Sequence, residues 1–378
     1  MEKKTILIGM TNLGAAHKQS AVSIGNAIRE KYGNNYNIEI IDVLSESKTI
    51  FDPLFKQGYR YLSNHLTFLY AAFFYITNIP VITKMLEAIF EGPIVKQISK
   101  LLVKIKPDII VSTYPIFPLI FHKACKRIGI DTRIIALIMD YKTGHNSWFL
   151  FKDIDSFLIP NEECYLKAIS MGIPEEKIIR VGIPLALKFS KILAPDAIMK
   201  LRAELGCEEN EILALIAGGG EGIENAYPIL KHIIRSGANF HPVVVCGRNK
   251  ALKKRLDKLV QESHSDAKIF GFINNMYELM NAADIIISKG GYLTINEAFF
   301  MGKPLIIAAY VPGQEKGNVE FVRKNNLGYY IHNSEKLVEK IKWLSHHKEE
   351  IAKLKSNIEK MHFTNGTREI ADIIVNKL

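Results

Sequence analysis

Residues 271–318 read GFINNMYELMNAADIIISKGGYLTINEAFFMGKPLIIAAYVPGQEKGN, and their punctuation decides the fold. Asp284–Ser288 is a short β-branched run interrupted by Lys289-Gly290-Gly291; helical text follows, with Glu297 about two turns in. Pro304–Ala309 is a second apolar run, closed by Val311-Pro312-Gly313-Gln314-Glu315. A strand ends, glycines follow and a helix begins, which is the grammar of an open α/β sheet. Ligands of such sheets bind at the carboxyl ends of strands, where backbone N–H groups and helix N-termini face solvent. That edge here carries glycines for close approach, an acid suited to ribose hydroxyls and an amide–acid pair suited to a sugar. The set fits a nucleotide sugar.

Outward from this stretch the alternation continues. Glu211–Ala217 is a strand followed by Gly218, Gly219, Gly220 and Gly222, then a helix from about Glu224 to Ser236. Pro242–Cys246 and Lys268–Phe270 are further strands, and Ser334–Leu378 reads as helix with a break at Gly366. In the first half, Thr5–Gly9, Tyr36–Asp42, Asp108–Ser112, Arg133–Met139 and Ser156–Ile159 read as strands, with helices over Ala15–Tyr32 and Glu162–Met171. The chain of 378 residues is too long for one ordinary core. We therefore expect an α/β protein of GT-B architecture, two Rossmann-like domains facing a central cleft. Their limits are 1–190 for an acceptor and membrane side and 191–360 for a nucleotide-sugar side. A last segment, 361–378, crosses back to the first domain.

A hydrophobic fraction of 48% and a charged fraction of 23% exclude wholesale disorder. Cys125, Cys164, Cys207 and Cys246 lie far apart with no C-x-x-C pair, which argues for a reducing compartment and against a zinc site. The first strand begins too near Met1 for a secretory signal, so the expected location is cytoplasmic. A net charge of +10 predicts an anionic partner. Nucleic acid is the weaker choice, for the chain shows no zinc finger, RRM signature or basic-region heptad. Between Asp52 and Pro107 aromatic residues accumulate (Phe51, Phe55, Tyr59, Tyr61, Phe68, Tyr70, Phe73, Phe74, Tyr75), and Leu66 to Thr83 carries no charge. Buried core helices, an interfacial anchor and a transmembrane span compete here; Thr67, Thr77, Asn78 and Pro80 disfavour the span. Lys96, Lys100, Lys104 and Lys106 punctuate an apolar helical stretch, a pattern suited to anionic lipid.

Each motif has a plainer alternative. Gly218–Gly222 can hold a diphosphate, or simply form a turn that needs positive φ. Glu297 can grip a ligand or complement a helix dipole. His17, in Gly14-Ala15-Ala16-His17, can take a hydroxyl proton at neutral pH or face solvent in a first helical turn. Asp140, after the strand Arg133–Met139, can act as a base or form a turn. Asp153-Ile154-Asp155 resembles a metal-binding D-x-D but reads as turn residues at a strand start.

Taken together these residues are similar to the monogalactosyldiacylglycerol synthase and processive diacylglycerol glucosyltransferase family, related to the lipid-linked muramyl-peptide N-acetylglucosaminyltransferase. The resemblance rests on Cys246-Gly247-Arg248-Asn249, Gly271-Phe272, Ala282-Ala283-Asp284, Lys289-Gly290-Gly291, Thr294 with Glu297-Ala298, Gly302-Lys303-Pro304 and Pro312-Gly313-Gln314-Glu315 with Asn318. Asp140-Tyr141, His145, Trp148 and Val181-Gly182-Ile183-Pro184 carry it in the first half. It implies a GT-B fold and roles for single residues. Gly219, Gly220, Gly222 and the amides after Gly290, from Gly291 on, would hold the diphosphate; Arg248 and Thr294 would belong to the same nucleotide-sugar site, and Phe272 and Ile273 would border the uracil. Glu297 would take the ribose, and Gln314 with Glu315 the hexose. His17 would be the acceptor-activating base with Asp140 as the other candidate; Tyr141, His145, Trp148, Phe73 and Phe74 would face the acceptor or membrane. The family's loop is usually G-x-G-H, and here Ala16 stands for its second glycine.

The implied reaction is inverting transfer of a hexose from a UDP-sugar to a lipid hydroxyl of diacylglycerol or glycosyl-diacylglycerol. It needs no cofactor and no metal, and takes place at an anionic membrane surface on the cytoplasmic face. A soluble or lipid-linked-sugar acceptor, a non-hydrolysing UDP-sugar epimerase and a non-catalytic nucleotide-sugar binder are the rival readings.

Overall fold

The computed structural model describes residues 3–47, 57–58, 61–62, 66–141, 144–223, 225–237 and 239–378, with backbone alone for 86–91. The chain divides into two compact units. The first comprises Met1–Leu187 with Val311–Gly317 and Asn365–Leu378; the second comprises Lys188–Tyr310 with Asn318–Thr364.

The first unit carries β1 (Lys4–Met10), α1 (Ala15–Tyr32), β2 (Tyr36–Asp42), α2 (Val43–Glu46), α3 (Thr67–Thr77) and α4 (Pro80–Ile105). It continues through β3 (Ile109–Ser112), α5 (Phe117–Ile128), β4 (Arg133–Leu137), β5 (Ser156–Ile159), α6 (Glu162–Ser170) and β6 (Ile178–Arg180). Its sheet is six-stranded in the order β2-β1-β3-β4-β5-β6, parallel throughout. Every residue of β3 and β5 is buried. Continuous apolar runs of this kind are what a parallel sheet covered on both faces demands.

The second unit contains α7 (Pro195–Glu204), β7 (Ile212–Ala217), α8 (Ala226–Ser236), β8 (Phe240–Val245), α9 (Lys250–Ser263), β9 (Lys268–Phe270) and α10 (Met276–Ala282). There follow β10 (Ile285–Lys289), α11 (Tyr292–Phe300), β11 (Leu305–Ala309), α12 (Lys316–Lys324), β12 (Gly328–Tyr330), α13 (Ser334–His346) and α14 (Lys348–Lys360). Its sheet is also six-stranded, in the order β12-β11-β10-β7-β8-β9, again parallel. This is the doubly wound order, in which the winding reverses between β7 and β10. The last helix, α15 (Thr367–Asn376), packs within the first unit. Asp372 accepts from Lys31 Nζ and Tyr32 Oη of α1, both at 2.7 Å, and Gly366 N donates to Ile183 O at 2.9 Å.

Differences from the expected elements are local. The tail is three helices, broken at His347 and again over 361–366, rather than one helix broken at Gly366. The short edge strands β6 and β12 have three residues each, too few for a periodic signal. The uncharged stretch is interrupted at Asn78–Ile79 between α3 and α4, and no helix among the described residues is long and apolar enough to cross a membrane. The lysine-punctuated stretch does not lie on lipid by its apolar side: Ile94, Val95, Ile98 and Leu102 of α4 are in the core of the first unit, leaving Lys96, Lys100 and Lys104 exposed. Exposed apolar surface gathers one helix earlier instead. Phe68 is 81% exposed, and Leu69, Phe73, Tyr75, Ile76, Ile79 and Val81 are also open. Phe51, Phe55 and Tyr59 lie outside the described residues.

Candidate functional site

In the second unit the carboxyl ends of β7 and β10 are neighbours across the point where the winding reverses. Such a point leaves a crevice between diverging loops, where ligands of open α/β sheets bind. Gly218–Gly222 follows β7, and Gly219 and Gly222 have φ of +69° and +72°. Close approach, not only φ, requires glycine nearby. A Cβ on Gly247 would lie 2.2 Å from Gly220 O, whose carbonyl accepts from Arg248 N at 2.7 Å. The Arg248 guanidinium then sits 4.9 Å over the Phe272 ring, a ring 56% exposed. Ile273 beside it is half-buried. Phe272 thus offers a flat apolar border, and Arg248 a cation held in place above it.

After β10, Gly290 is a strut: its N–H donates to Ala309 O at 2.8 Å, and its carbonyl accepts from Asn318 Nδ2 at 2.9 Å. The helix α11 starts directly after it. Gly291 caps α11 without a side-chain acceptor, so the first-turn N–H groups keep their capacity for an anion. Thr294 is buried in that turn. Glu297 stands sixth in a nine-residue helix and is 7% exposed. As its sequence context suggested, it lies past the first turn, where a dipole rewards an acid. Lys289 was missed by sequence reasoning. Its Cε lies 3.8 Å from where a Gly219 Cβ would be, which puts an ammonium beside the glycine loop. A lysine closing the strand before a glycine pair was the available signal.

Val311–Gly317 belongs by its contacts to the first unit. Tyr70 Oη donates to Gln314 Oε1 at 2.7 Å, and a Cβ on Gly313 (φ +86°) would fall 2.8 Å from Phe74 Cδ1. Glu315 Oε2 accepts from Val311 N at 2.7 Å, which folds the loop on itself. Gln314 and Glu315 are therefore set by the aromatic face of α3 and by the loop's own backbone.

In the first unit the winding reverses between β1 and β3; His17 stands at that point, and Asp140 follows the neighbouring strand β4. His17, in the first turn of α1, is half-buried, and its Nδ1 is bonded to Thr113 O, just after β3. A carbonyl partner makes Nδ1 the protonated nitrogen and leaves the Nε2 lone pair to accept. Burial lowers His17 to about 4, opposed by the Thr113 bond, so the ring is neutral at physiological pH. Its ring lies edge-on to Tyr114 with centroids 5.0 Å apart. Asp140 is raised to about 6, chiefly by burial, against the lowering by Trp148 and Lys167. Its carboxylate also helps burial push Tyr114 up to about 12. Tyr114 thus touches the His17 ring and feels the Asp140 charge. Thr113, Tyr114 and Lys167 gave no sequence signal, because they come from the end of β3 and from α6, far in sequence from the residues they serve.

The proposed acceptor-facing residues divide. Trp148 is 1% exposed and donates from Nε1 to Asp140 Oδ2 at 2.9 Å; Tyr141 is equally buried. Neither can present its ring to a membrane, because both are packed into the core that fixes Asp140. Phe74 is buried as well, with its ring 5.5 Å from His145; Phe73, its neighbour, is 51% exposed. His145 bonds Ser147 Oγ at 2.7 Å and Thr77 Oγ1 at 3.3 Å, and burial lowers it to about 4. Asp153 and Asp155 do not converge: Asp155 Oδ2 accepts from Ile134 N at 2.7 Å, while Asp153 pairs with His122 at 3.5 Å.

Two parallel, doubly wound α/β units, the second with glycine-lined strand ends, have the GT-B architecture. A family model for monogalactosyldiacylglycerol (MGDG) synthase matches residues 17–185, and one for the glycosyltransferase family 28 C-terminal domain matches 214–373. Monogalactosyldiacylglycerol synthase 3, chloroplastic, of Arabidopsis thaliana is 31% identical over 371 residues, covering 95% of this chain and 78% of that protein. The processive diacylglycerol beta-glucosyltransferase of Bacillus mycoides is 28% identical over 373 residues, covering 98% and 93%. MurG of Acinetobacter baumannii shares the fold at a TM-score of 0.64 and 13% identity, covering 99% of this chain and 100% of that one. The chain belongs to the monogalactosyldiacylglycerol synthase family.

Proposed function

We propose that the protein transfers a hexose from a UDP-sugar to the hydroxyl of diacylglycerol or glycosyl-diacylglycerol, with inversion and without a divalent ion. The observation that carries this reading is the cradle at the β7–β10 reversal. Its glycine amides and the uncapped start of α11 can bind a diphosphate, and Lys289 and Arg248 add charge beside it. Preorganised donors of this kind stabilise a leaving diphosphate as its charge develops. Phe272 and Ile273 border the uracil, Glu297 takes the ribose, and Gln314 with Glu315 takes the hexose. The acceptor oxygen bonds to the anomeric carbon as that carbon's bond to the β-phosphate oxygen breaks. UDP departs with the electron pair, and the hydroxyl proton passes to His17 Nε2, with Asp140 as the competing base. The named activities of both relatives are lipid glycosylations, which supports the acceptor class.

A lipid acceptor has to be met at a bilayer. The exposed side of α3, with Phe68, Leu69, Phe73 and Ile76, supplies apolar area for the interface, and the positive net charge favours anionic lipid. Four buried free thiols suit a cytoplasmic-face location. The decisive experiment measures UDP release from a panel of UDP-sugars, with and without diacylglycerol in anionic vesicles. Turnover requires both sugar and lipid if the reading holds. Epimerised UDP-sugar without lipid, or equal turnover on a soluble acceptor, overturns it.

A further inference from the structure

At the opposite ends of the strands that hold the nucleotide cradle, His241 near the start of β8 is fully buried. Neither ring nitrogen has a hydrogen-bond partner. Buried polar atoms left this way are rare, because each forfeits its hydration without return. Two carboxylates close on the ring. Glu211, just before β7, places Oε2 3.8 Å from Nδ1, and Asp266, just before β9, places Oδ2 3.5 Å from it. The three atoms lie within 4.8 Å of one another. Zinc bonded to imidazole nitrogen and carboxylate oxygen at about 2.0–2.2 Å separates its ligands by about 3.4 Å. The cluster therefore reaches that geometry by contracting less than an ångström per side chain on average.

Glu211 is already fixed for the task. Arg202 holds its carbonyl at 2.8 Å, and the N–H of Glu208 donates to its Oε2 at 2.8 Å. Asp266 is 68% exposed, which opens the group to solvent and leaves room for water as a further ligand. Lys268 approaches the same ring: a Cβ on Gly206 would lie 3.6 Å from His241 Cε1 and 3.7 Å from Lys268 Nζ. Arg202 is itself engaged by Asp284 at 2.8 Å, and the two carboxylates are the groups that face Nδ1. We propose that Glu211, His241 and Asp266 bind a first-row divalent transition ion, such as zinc, that ties together the starts of β7, β8 and β9. Imidazole with carboxylates selects such ions over magnesium or calcium, which prefer oxygen alone. Lying at the amino ends of these strands, the ion would be structural and apart from sugar transfer.

The test titrates the full chain, free of nucleotide, with zinc chloride by calorimetry at pH 7.5, beside the Asp266→Asn and His241→Gln variants. One equivalent should bind, and the thermal midpoint should rise by about 5 °C at a hundredfold excess over Kd. Asp266→Asn should weaken binding at least about tenfold, and magnesium chloride should give no heat. Asp266 is exposed, so its variant keeps the test valid even if His241→Gln fails to fold. Absence of binding by the native chain overturns the site. Unchanged affinity in Asp266→Asn does so too, since the zinc would then sit on other histidines.

Discussion

The two points where the sheets reverse their winding are built from different materials. In the second unit the crevice is backbone: positive-φ glycines, an uncapped helix start, and a carbonyl so close to Gly247 that a methyl group would meet it. In the first unit it is side chain: His17 held by Thr113 O, Tyr114 against it, and Asp140 held by Trp148. Backbone cradles recognise what donors in this class have in common, a diphosphate. Side-chain clusters can tune a proton acceptor and vary with what is glycosylated. One unit should therefore tolerate exchange of functional groups poorly in turnover, and the other should tolerate added bulk poorly in binding.

The sharpest way to break that contrast is His17→Ala. We expect kcat to fall by about 10²–10⁴-fold, while UDP affinity measured by calorimetry stays within about twofold. Turnover within a few-fold of the native rate would remove His17 as the base. The pH profile then chooses between the candidates. His17 is lowered to about 4 and so accepts a proton at any higher pH; Asp140, raised to about 6, is an acceptor only above that. If His17 is the base, kcat/KM holds flat down to about pH 4. If Asp140 is the base, the rate falls about tenfold per unit below pH 6.

Stability gives the sign independently. A carboxyl raised in the fold contributes its stabilisation below its unfolded value, 3.8, and loses it as pH rises through about 6. Asp140→Asn should thus raise the urea midpoint at pH 8 and leave it nearly unchanged at pH 3.5. A destabilised variant at pH 8 would mean that the bond from Trp148 outweighs the cost of the buried charge.

On the other side of the comparison, Gly247→Ala should act through binding. Its φ is +59° and the new Cβ would stand 2.2 Å from Gly220 O, so the glycine loop has to move. We expect the Kd for UDP to rise at least about tenfold, with a stability loss of about 1–3 kcal/mol. A normal Kd would show that the loop is not the cradle.

The asymmetry also explains what could be read from the chain. Strand, glycine, helix is a local pattern, so the α/β class and both sheets were legible from runs such as Ile212–Ala217 and Leu305–Ala309. Gly219 and Gly222 carry their positive φ as the turn context implied. Thr113, Tyr114 and Lys167 were not legible, because a parallel sheet brings them beside His17 and Asp140 from distant segments, by tertiary packing that no local spacing records. Trp148 and Tyr141 illustrate the converse. The resemblance gave them to the acceptor or membrane side; both rings are buried, and Trp148 donates to Asp140. Lys96, Lys100 and Lys104 likewise suggested lipid, whereas the apolar positions among them were already spent on the core.

The smallest effect concerns Gln314, whose loop groups with the first unit. Gln314 lies in a glycine-hinged loop, yet its Oε1 is held by Tyr70 of α3, whose next turn exposes Phe73. In the proposed function, α3 would meet lipid on one side and set the Gln314 amide for the hexose on the other. Tyr70→Phe removes one hydroxyl and keeps the ring in its buried position. Such a hydrogen bond contributes about 0.5–1.5 kcal/mol, so KM for the UDP-hexose should rise about three- to tenfold with kcat little changed. The Kd for UDP, which lacks the hexose, should not move. A parallel loss of UDP affinity would place Gln314 on the nucleotide instead, and no change in either constant would separate α3 from sugar recognition altogether.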